Sequence, residues 1–309
     1  MPNRPIDIRA YGGRRDLDLL LEFASRCFAE RFPLSACWHP GDFVWELKPH
    51  FDRPHRIRIW LSPDGVEAAA MFTAADRLWL EIRPACEDLL PQIVAKAEGS
   101  RLRGTEEGTP ATLSIRAFEA DTRRIAALEA LGYRPGEPDH VWFRLDLSQP
   151  LPEFPSPPGF RIRDCVGIDP QARAAVHRVA WSDLSQIGIE NARSGFNEDI
   201  YLGLARAPVY DPALDIVVQA PDGTFVANTI CWADTASGVG IFEPVGSDPA
   251  YRRRGLARLA MLEGLRRLQA RGMRWAGVGT AHFNAPAIAT YSSFFQPLDR
   301  TRWWTKTLA

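Results

Sequence analysis

An α/β or α+β chain in which a sheet with crossover helices is built twice is the fold class that this sequence predicts. Three observations carry that expectation. Stretches that alternate apolar and polar residues, as strands do, follow stretches with apolar residues at three- and four-residue steps, as helices do. The same landmarks recur: Ile8-Arg9 returns as Ile162-Arg163 at an offset of 154, and Pro63-Asp64-Gly65 as Pro221-Asp222-Gly223 at an offset of 158. Between the two sets lies a stretch holding Pro150, Pro152, Pro155, Pro157 and Pro158, too dense in proline for a helix or an interior strand. The expected organisation is a first domain over residues 1–148, a linker over 149–158 and a second domain over 159–309. A chain of 309 residues fits two domains at roughly 150 residues each.

Taken in order, Ile6–Ala10 alternates as a strand. Leu17, Leu20, Leu21, Ala24, Cys27 and Phe28 then mark one face of a helix to about Arg31. The aromatic stretch holding Trp38, His39, Phe43 and Trp45 is read as a loop, covering either a core edge or a substrate. Two apolar runs between Arg56 and Thr73 flank Pro63-Asp64-Gly65, a turn triplet, and predict a hairpin. A strand at Leu78–Ile82, a helix over Glu87–Ala97 and a Gly- and charge-rich loop over Glu98–Pro110 follow. The first half closes with a strand at Thr112–Ile115, a helix over Asp121–Leu131 ending at Gly132, and a strand at His140–Leu147. In the second half, Ala172–Leu184 reads as a helix and the polar run to Asn197 as a loop. Ile216–Gln219 and Phe225–Trp232 pair as a hairpin, and Leu256, Leu259, Leu262, Leu265 and Leu268 form the stripe of another helix. A strand at Arg274–Gly279, a helix over Pro286–Ser293 and a strand at Thr301–Thr305 complete the chain.

Composition narrows the function classes. A net charge of −1 gives no global attraction to nucleic acid or anionic lipid, so any basic site must be local. No apolar run approaches the ~20 residues that span a bilayer, and Met1–Arg9 has no apolar core of a secretory signal. Cys27, Cys37, Cys86, Cys165 and Cys231 are scattered and odd in number, which favours reduced thiols in a cytoplasm over disulfides or a zinc site.

The stretch Val239–Ala257 organises the second half. It reads as a buried strand, a proline-broken turn, the cluster Arg252-Arg253-Arg254 and a helix opening at Gly255. A helix start carries unpartnered N–H groups and partial positive charge, and so attracts anions. Between Pro249 and Trp275 stand eight arginines and one acid, Glu263. A solvated basic face and a nucleic-acid patch are the alternatives to a small phosphorylated ligand. Neither a G-x-x-x-x-G-K-[ST] loop nor a G-x-G-x-x-G turn is present, which leaves a ligand bearing a pyrophosphate outside those two classes.

Arg252-Arg253-Arg254-Gly255-Leu256-Ala257 resembles the R/Q-x-x-G-x-G/A signature of the GNAT superfamily of acetyltransferases, and Asn284–Tyr291 resembles that family's N-x-x-A-x-x-x-Y helix. Pro158–Arg163 is similar to the opening of the second half in tandem GNAT proteins, a group that includes mycothiol synthases. The motif-level resemblance covers roughly residues 158–295. It implies two tandem GNAT-like domains, each a mixed, mostly antiparallel sheet flanked by helices. It also implies acetyl-CoA as donor co-substrate, with no metal. The backbone of Val245, Gly246 and Ser247 would pair with the pantetheine arm, and the amides from Arg253 through Gly255 and Leu256 to Ala257 would hold the pyrophosphate. Arg252, Arg253 and Arg254 would add charge toward the phosphates, and Asn284 would touch the cofactor arm. Tyr291 would stand near the thioester sulfur.

Acetylation of an amine needs a base for the ammonium proton and an acid for the departing thiolate. Tyr291, a hydroxyl donor at neutral pH, suits the second role, unless its hydroxyl bonds to backbone instead. Glu243 suits the first, with His282 in reserve; the alternative for Glu243 is an acid that only binds a cationic substrate or an arginine. With strict alternation Glu243, Val245 and Ser247 share one face unless a bulge intervenes. Two departures stand out. Ser293-Phe294-Phe295 has Phe where the family often has Gly. The first half has no R-x-x-G-x-A, and Glu87 and Asp88 at its helix start would repel a pyrophosphate. The expectation is one working site, in the second half, moving acetyl to a primary amine of a small molecule or peptide. No nucleic-acid or membrane partner is expected, in a monomer or homodimer. A CoA-binding or sensor module without turnover is the competing reading.

Overall fold

The computed structural model describes residues 5–31, 38–48, 57–104 and 110–308. Cys37, Arg56 and the centre of the Glu98–Pro110 stretch lie outside the described residues. The chain divides into two compact units, Met1–Trp38 with His50–Val141 and Leu298–Ala309, and His39–Pro49 with Trp142–Pro297.

The first unit contains β1 (Asp7–Ala10), α1 (Leu17–Arg31), β2 (Ile57–Ser62), β3 (Gly65–Ala74), β4 (Arg77–Ile82), α3 (Leu90–Arg103), β5 (Ala111–Phe118) and α4 (Thr122–Ala130). Its sheet runs β1-β2-β3-β4-β5, then β12 (Gln296–Leu308), the last strand of the sequence, and the first residues of β6 (Arg134–Asp146). Only the β4–β5 pair is parallel; β12 lies antiparallel to β5 from Thr301↔Phe118 to Leu308↔Ala111. The triplet Pro63-Asp64-Gly65 closes the β2–β3 hairpin. Asp121, read from the sequence as the first residue of the helix, instead caps α4 by accepting from the Arg124 amide. Two boundaries differ from the sequence reading. The helix expected at Glu87 begins at Leu90, because Pro84–Leu89 forms a tighter 3-10 turn first, and it runs through Gly99 to Arg103 where a loop was expected.

The second unit contains α2 (Pro40–Leu47), the end of β6 (Arg134–Asp146), β7 (Arg161–Asp164), α5 (Pro170–Ala180) and α6 (Glu198–Ala205). It continues with β8 (Asp215–Gln219), β9 (Phe225–Asp234), β10 (Val239–Ser247), α7 (Leu256–Ala270), β11 (Trp275–Ala281) and α8 (Ala285–Ser292). Its sheet order is β6-β11-β10-β9-β8-β7; β10 and β11 pair in parallel, and β7–β8, β8–β9 and β9–β10 pair antiparallel. Each unit is therefore a mixed, mostly antiparallel sheet with helices, and each repeats the same strand grammar. The proline-rich residues 150–157, expected as a linker, take no regular secondary structure and lie within the second unit. On one face, α7 buries Leu256, Leu259, Leu262, Leu265 and Leu268 against β8, β9 and β10. On the other, α5 presents Arg173, whose Nε meets both Asp215 carboxylate oxygens at 2.8 and 2.9 Å in a fully buried ion pair.

Two helices here were read as loops. Asn197 caps α6, accepting from the Ile200 amide, and Glu198 and Asp199 sit in its first turn. The aromatic stretch after Trp38 is α2, a helix because Pro40 occupies its first turn and the His39 ring caps it, Nδ1 accepting from the Gly41 amide at 3.0 Å. With Nδ1 an acceptor, Nε2 carries the proton and donates to the Val239 carbonyl at 3.2 Å, joining α2 to β10. Burial lowers the His39 pKa to about 4, partly opposed by Asp234, so the ring holds this neutral form. Gly41 permits the docking: a Cβ there would stand 2.2 Å from Cγ of Trp232.

Candidate active site

The site begins where two parallel strands stop pairing. The β10–β11 ladder ends at Phe242↔Val278, although β10 continues to Ser247 and β11 to Ala281. On its other side β10 keeps pairing with β9, but across a bulge: Phe242 faces Cys231 and the next pair is Val245↔Thr229, so Glu243 and Pro244 stand opposite Ile230 alone. The bulge breaks the strict alternation, so Glu243 and Val245 do not share a face by simple count. Past Phe242 the β11-facing backbone edge of 243–247 has no strand partner, and there an extended ligand can pair.

Beyond this edge, Pro249–Tyr251 turns once and the chain enters α7 at Gly255, whose φ is +76°. Arg253, too, takes positive φ, at 61°. The N-terminus of α7 has no side-chain cap, so its first amides remain available to an anion. The outer side of Gly255 is not open to ligand, however; a Cβ there would lie 2.5 Å from Cζ of Phe154, whose ring also carries the Arg258 guanidinium at 4.8 Å.

The three arginines separate by task. Arg252 donates through Nη2 to the carbonyls of Ala180 (3.3 Å) and Asp183 (2.6 Å), pinning the chain after α5 to the loop. Arg253 is exposed, and Arg254 is exposed with its guanidinium 5.1 Å from the Tyr251 ring centre. Asn284 caps α8, its Oδ1 accepting from the Ala287 amide (3.3 Å) and its Nδ2 donating to Thr280 Oγ1 (3.1 Å).

A cavity of about 540 Å³ gathers most of these groups. Val245, Gly246, Ser247, Arg252, Arg253, Gly255, Leu256, Ala257, Asn284 and Tyr291 all line it; Arg254 and Glu243 do not. Trp181 forms part of its wall and stacks on His177 at 4.2 Å, and His177 in turn packs on Phe196 and Trp45. Trp45, Trp181 and Phe196 thus make one aromatic cluster, whereas Trp38 packs on Trp79 in the first unit.

Tyr291 is 5% exposed and packs edge-on against Phe143. Among the described residues no hydrogen bond engages its hydroxyl. Burial raises its pKa, and the Glu243 carboxylate raises it further, which keeps the hydroxyl protonated near neutrality and sets the two side chains close. Glu243 is half-buried, its carbonyl accepting from Trp232 Nε1 at 2.6 Å. Desolvation first, then the charges of Asp42 and Glu46 and a hydrogen bond to Asp42, hold its carboxyl well above the usual carboxylate range; Lys48 opposes them. Asp42, Glu46 and Lys48 were absent from the sequence-derived site, because they reach it from α2, about 200 positions away. His282 is exposed and does not line the cavity, and Asp234 lies beside His39.

At the corresponding place in the first unit the chemistry is inverted. Glu87 there is 8% exposed, paired to Arg31 and, at 2.7 Å, to Arg124. The 3-10 turn and Pro91 leave no glycine-opened start to α3.

Comparison with known proteins agrees with this geometry. Residues 191–295 match the family described as Acetyltransferase (GNAT) family. Over 114 residues the chain is 36% identical to a mycothiol acetyltransferase of Kineococcus radiotolerans, a match covering 37% of this chain and 35% of that relative. The chain therefore spans about a third of the length of that curated protein. Among solved structures, a tandem GNAT protein from the clavulanic acid biosynthesis pathway superposes with a TM-score of 0.66 at 16% identity, covering 99% of both chains. A GCN5-related N-acetyltransferase from Sphaerobacter thermophilus gives 0.59 at 20% identity, over 99% of this chain and 97% of that one. This chain has the fold of tandem GNAT structures and carries, over residues 191–295, a domain of the acetyltransferase (GNAT) family.

Proposed function

We propose that the protein transfers the acetyl group of acetyl-CoA to a primary amine of a small molecule or peptide, at one site in the second unit. The observation that carries this reading is a single cavity bordered by an unpaired strand edge at Val245–Ser247, an uncapped helix start at Gly255–Ala257 and the Tyr291 hydroxyl. The helix start suits a pyrophosphate and the strand edge suits the amides of a pantetheine arm. In the reaction the amine nitrogen bonds to the thioester carbonyl carbon and the carbon–sulfur bond breaks. Glu243, in its ionised fraction, takes the proton that the amine sheds, and the Tyr291 hydroxyl gives one to the sulfur. Amides near Val245–Ser247 polarise the carbonyl as negative charge develops on its oxygen.

The family, and the mycothiol acetyltransferase that part of the chain resembles, support the reaction class. The acids around Glu243 favour an acceptor that arrives as an ammonium ion. A thiol-release screen across amine classes, with acetyl-CoA and longer acyl donors side by side, tests the reading. We expect amine-dependent release, with Glu243→Gln and Tyr291→Phe lowering kcat by roughly 10²–10⁴-fold while acetyl-CoA affinity stays nearly unchanged. Slow release that no amine accelerates would point instead to a CoA-binding module.

A further inference from the structure

We infer that Asp42 is a positioning residue for Glu243: α2 brings its carboxyl against that of Glu243, and the two share one proton. The inference rests on the proposed transfer for its purpose but on the packing of α2 for its evidence. Two contacts fix α2 on the strands that carry the site, and a third ties those strands to Glu243. His39 Nε2 donates to Val239, the first residue of β10. The Gly41 backbone lies flush on the Trp232 side chain. Trp232 Nε1 donates to the Glu243 carbonyl at 2.6 Å, so the helix rests on the residue that holds the bulge. Asp42 follows Gly41, is 7% exposed, and hydrogen-bonds to the Glu243 carboxyl.

Two carboxylates so close in a desolvated place cannot both ionise, and a hydrogen bond between them requires a proton on one. Glu46 adds a third acid from the same helix. Lys48, with its Nζ 3.7 Å from the Trp45 ring centre and bonded to the Trp45 carbonyl, is the cation facing the pair. Tyr291 of α8 faces Glu243 from the cavity side, and His177 of α5, kept neutral by burial, stands beyond Lys48. The shared proton makes Glu243 a carboxyl poised nearer neutrality than an isolated one. It also gives the proton released by the amine a second oxygen to settle on, at Asp42.

The test is an NMR titration of the full chain with 13C-labelled glutamate carboxyls, the Glu243 resonance being identified by its loss in Glu243→Gln. In the unmodified chain we expect a two-step titration with its upper midpoint raised. Asp42→Asn and Asp42→Ala should collapse it to one step and lower that midpoint by about one pH unit or more; Lys48→Met should move it the other way. The acidic limb of kcat/KM should follow the same directions. Should both Asp42 variants unfold, the unmodified chain decides alone, since a single step at an ordinary midpoint overturns the inference. An unchanged midpoint in a folded Asp42 variant overturns it as well. Transfer with unchanged midpoints would leave the proposed function standing and sink the Asp42 role; shifted midpoints without any amine transfer would do the reverse.

Discussion

Gly255 and Gly272 bracket α7 with the same backbone angle, φ +76°, and this pair turns one substitution into a controlled experiment. At Gly272 an added Cβ meets nothing within 4 Å, so Gly272→Ala bears only the cost of left-handed backbone, about 1 kcal/mol. At Gly255 the same cost recurs and the Cβ also runs into Phe154 at 2.5 Å. Phe154 is half-buried, so displacing it forfeits part of the roughly 1.5–3 kcal/mol that burying such a side chain contributes. Gly255→Ala should therefore be about 1 kcal/mol less stable than Gly272→Ala, a difference of roughly 2–4 °C in melting temperature for a unit of this size. Adding Phe154→Ala should narrow the gap by removing the collision. Calorimetry with acetyl-CoA supplies the second readout. The unmodified protein and Gly272→Ala should each bind one equivalent, and Gly255→Ala should bind at least tenfold more weakly, about 1.4 kcal/mol, because the shifted turn misaims the α7 amides. Equal melting losses in the two variants, or full affinity in Gly255→Ala, would refute the reasoning. So would a second equivalent that survives the substitution.

Arg252 offers a different kind of test, since its guanidinium holds the Ala180–Asp183 wall and not a free phosphate position. Arg252→Ala should weaken acetyl-CoA binding, and Arg252→Lys should fail to restore it, because both bonds come from the two hydrogens of one planar Nη2 at the end of a longer side chain, a geometry an ammonium does not reproduce; rescue by lysine, read in the same calorimetry, would show that charge alone matters. The pH dependence of stability should carry the signature of His39. Its folded pKa, lowered to about 4, lies below the unfolded value of about 6.5. The unfolded chain therefore takes up the proton first, and the stability of the neutral ring is full above pH 6.5 and lost as pH falls toward 4, by roughly 3 kcal/mol. His39→Asn keeps a capping side chain without a titrating ring, so urea denaturation over this range should give it the shallower slope; parallel slopes would remove His39 as the cause.

The periodic elements were legible because local rules govern them. The leucine stripe of α7 and the two Pro-Asp-Gly hairpins follow from spacing and from what each residue tolerates. The two motifs that lie one strand apart in sequence also meet at one cavity. What local rules could not reach was long-range. Asp42, Glu46 and Lys48 sit in a stretch whose helical spacing spans only Pro40 to Leu47, capped by a histidine where Ser, Thr, Asp or Asn is the usual signal. Their partner on β10 lies some 200 residues downstream. The bulge at Glu243 depends on how β9 pairs, which alternation along β10 alone does not encode. Arg252 read as a phosphate ligand because its charge was visible and its carbonyl acceptors were not. The helix α6 was a plainer miss, since Asn197 followed by two acids is an ordinary helix start.

The strand β12 has a consequence in time. It supplies the edge neighbour of β5 and places Trp304 and Leu308 in the first unit's core, yet it is translated after everything else in that unit. At about 5–20 residues per second, the chain from Phe118 to Gln296 takes roughly 10–35 seconds to emerge. Through that interval β5 waits with one row of backbone groups unpaired, an edge that invites the wrong strand. The first unit is thus completed only after the whole of the second has been made. The yield of the first unit in a cell depends on how soon β12 reaches β5, or on what shields β5 until then.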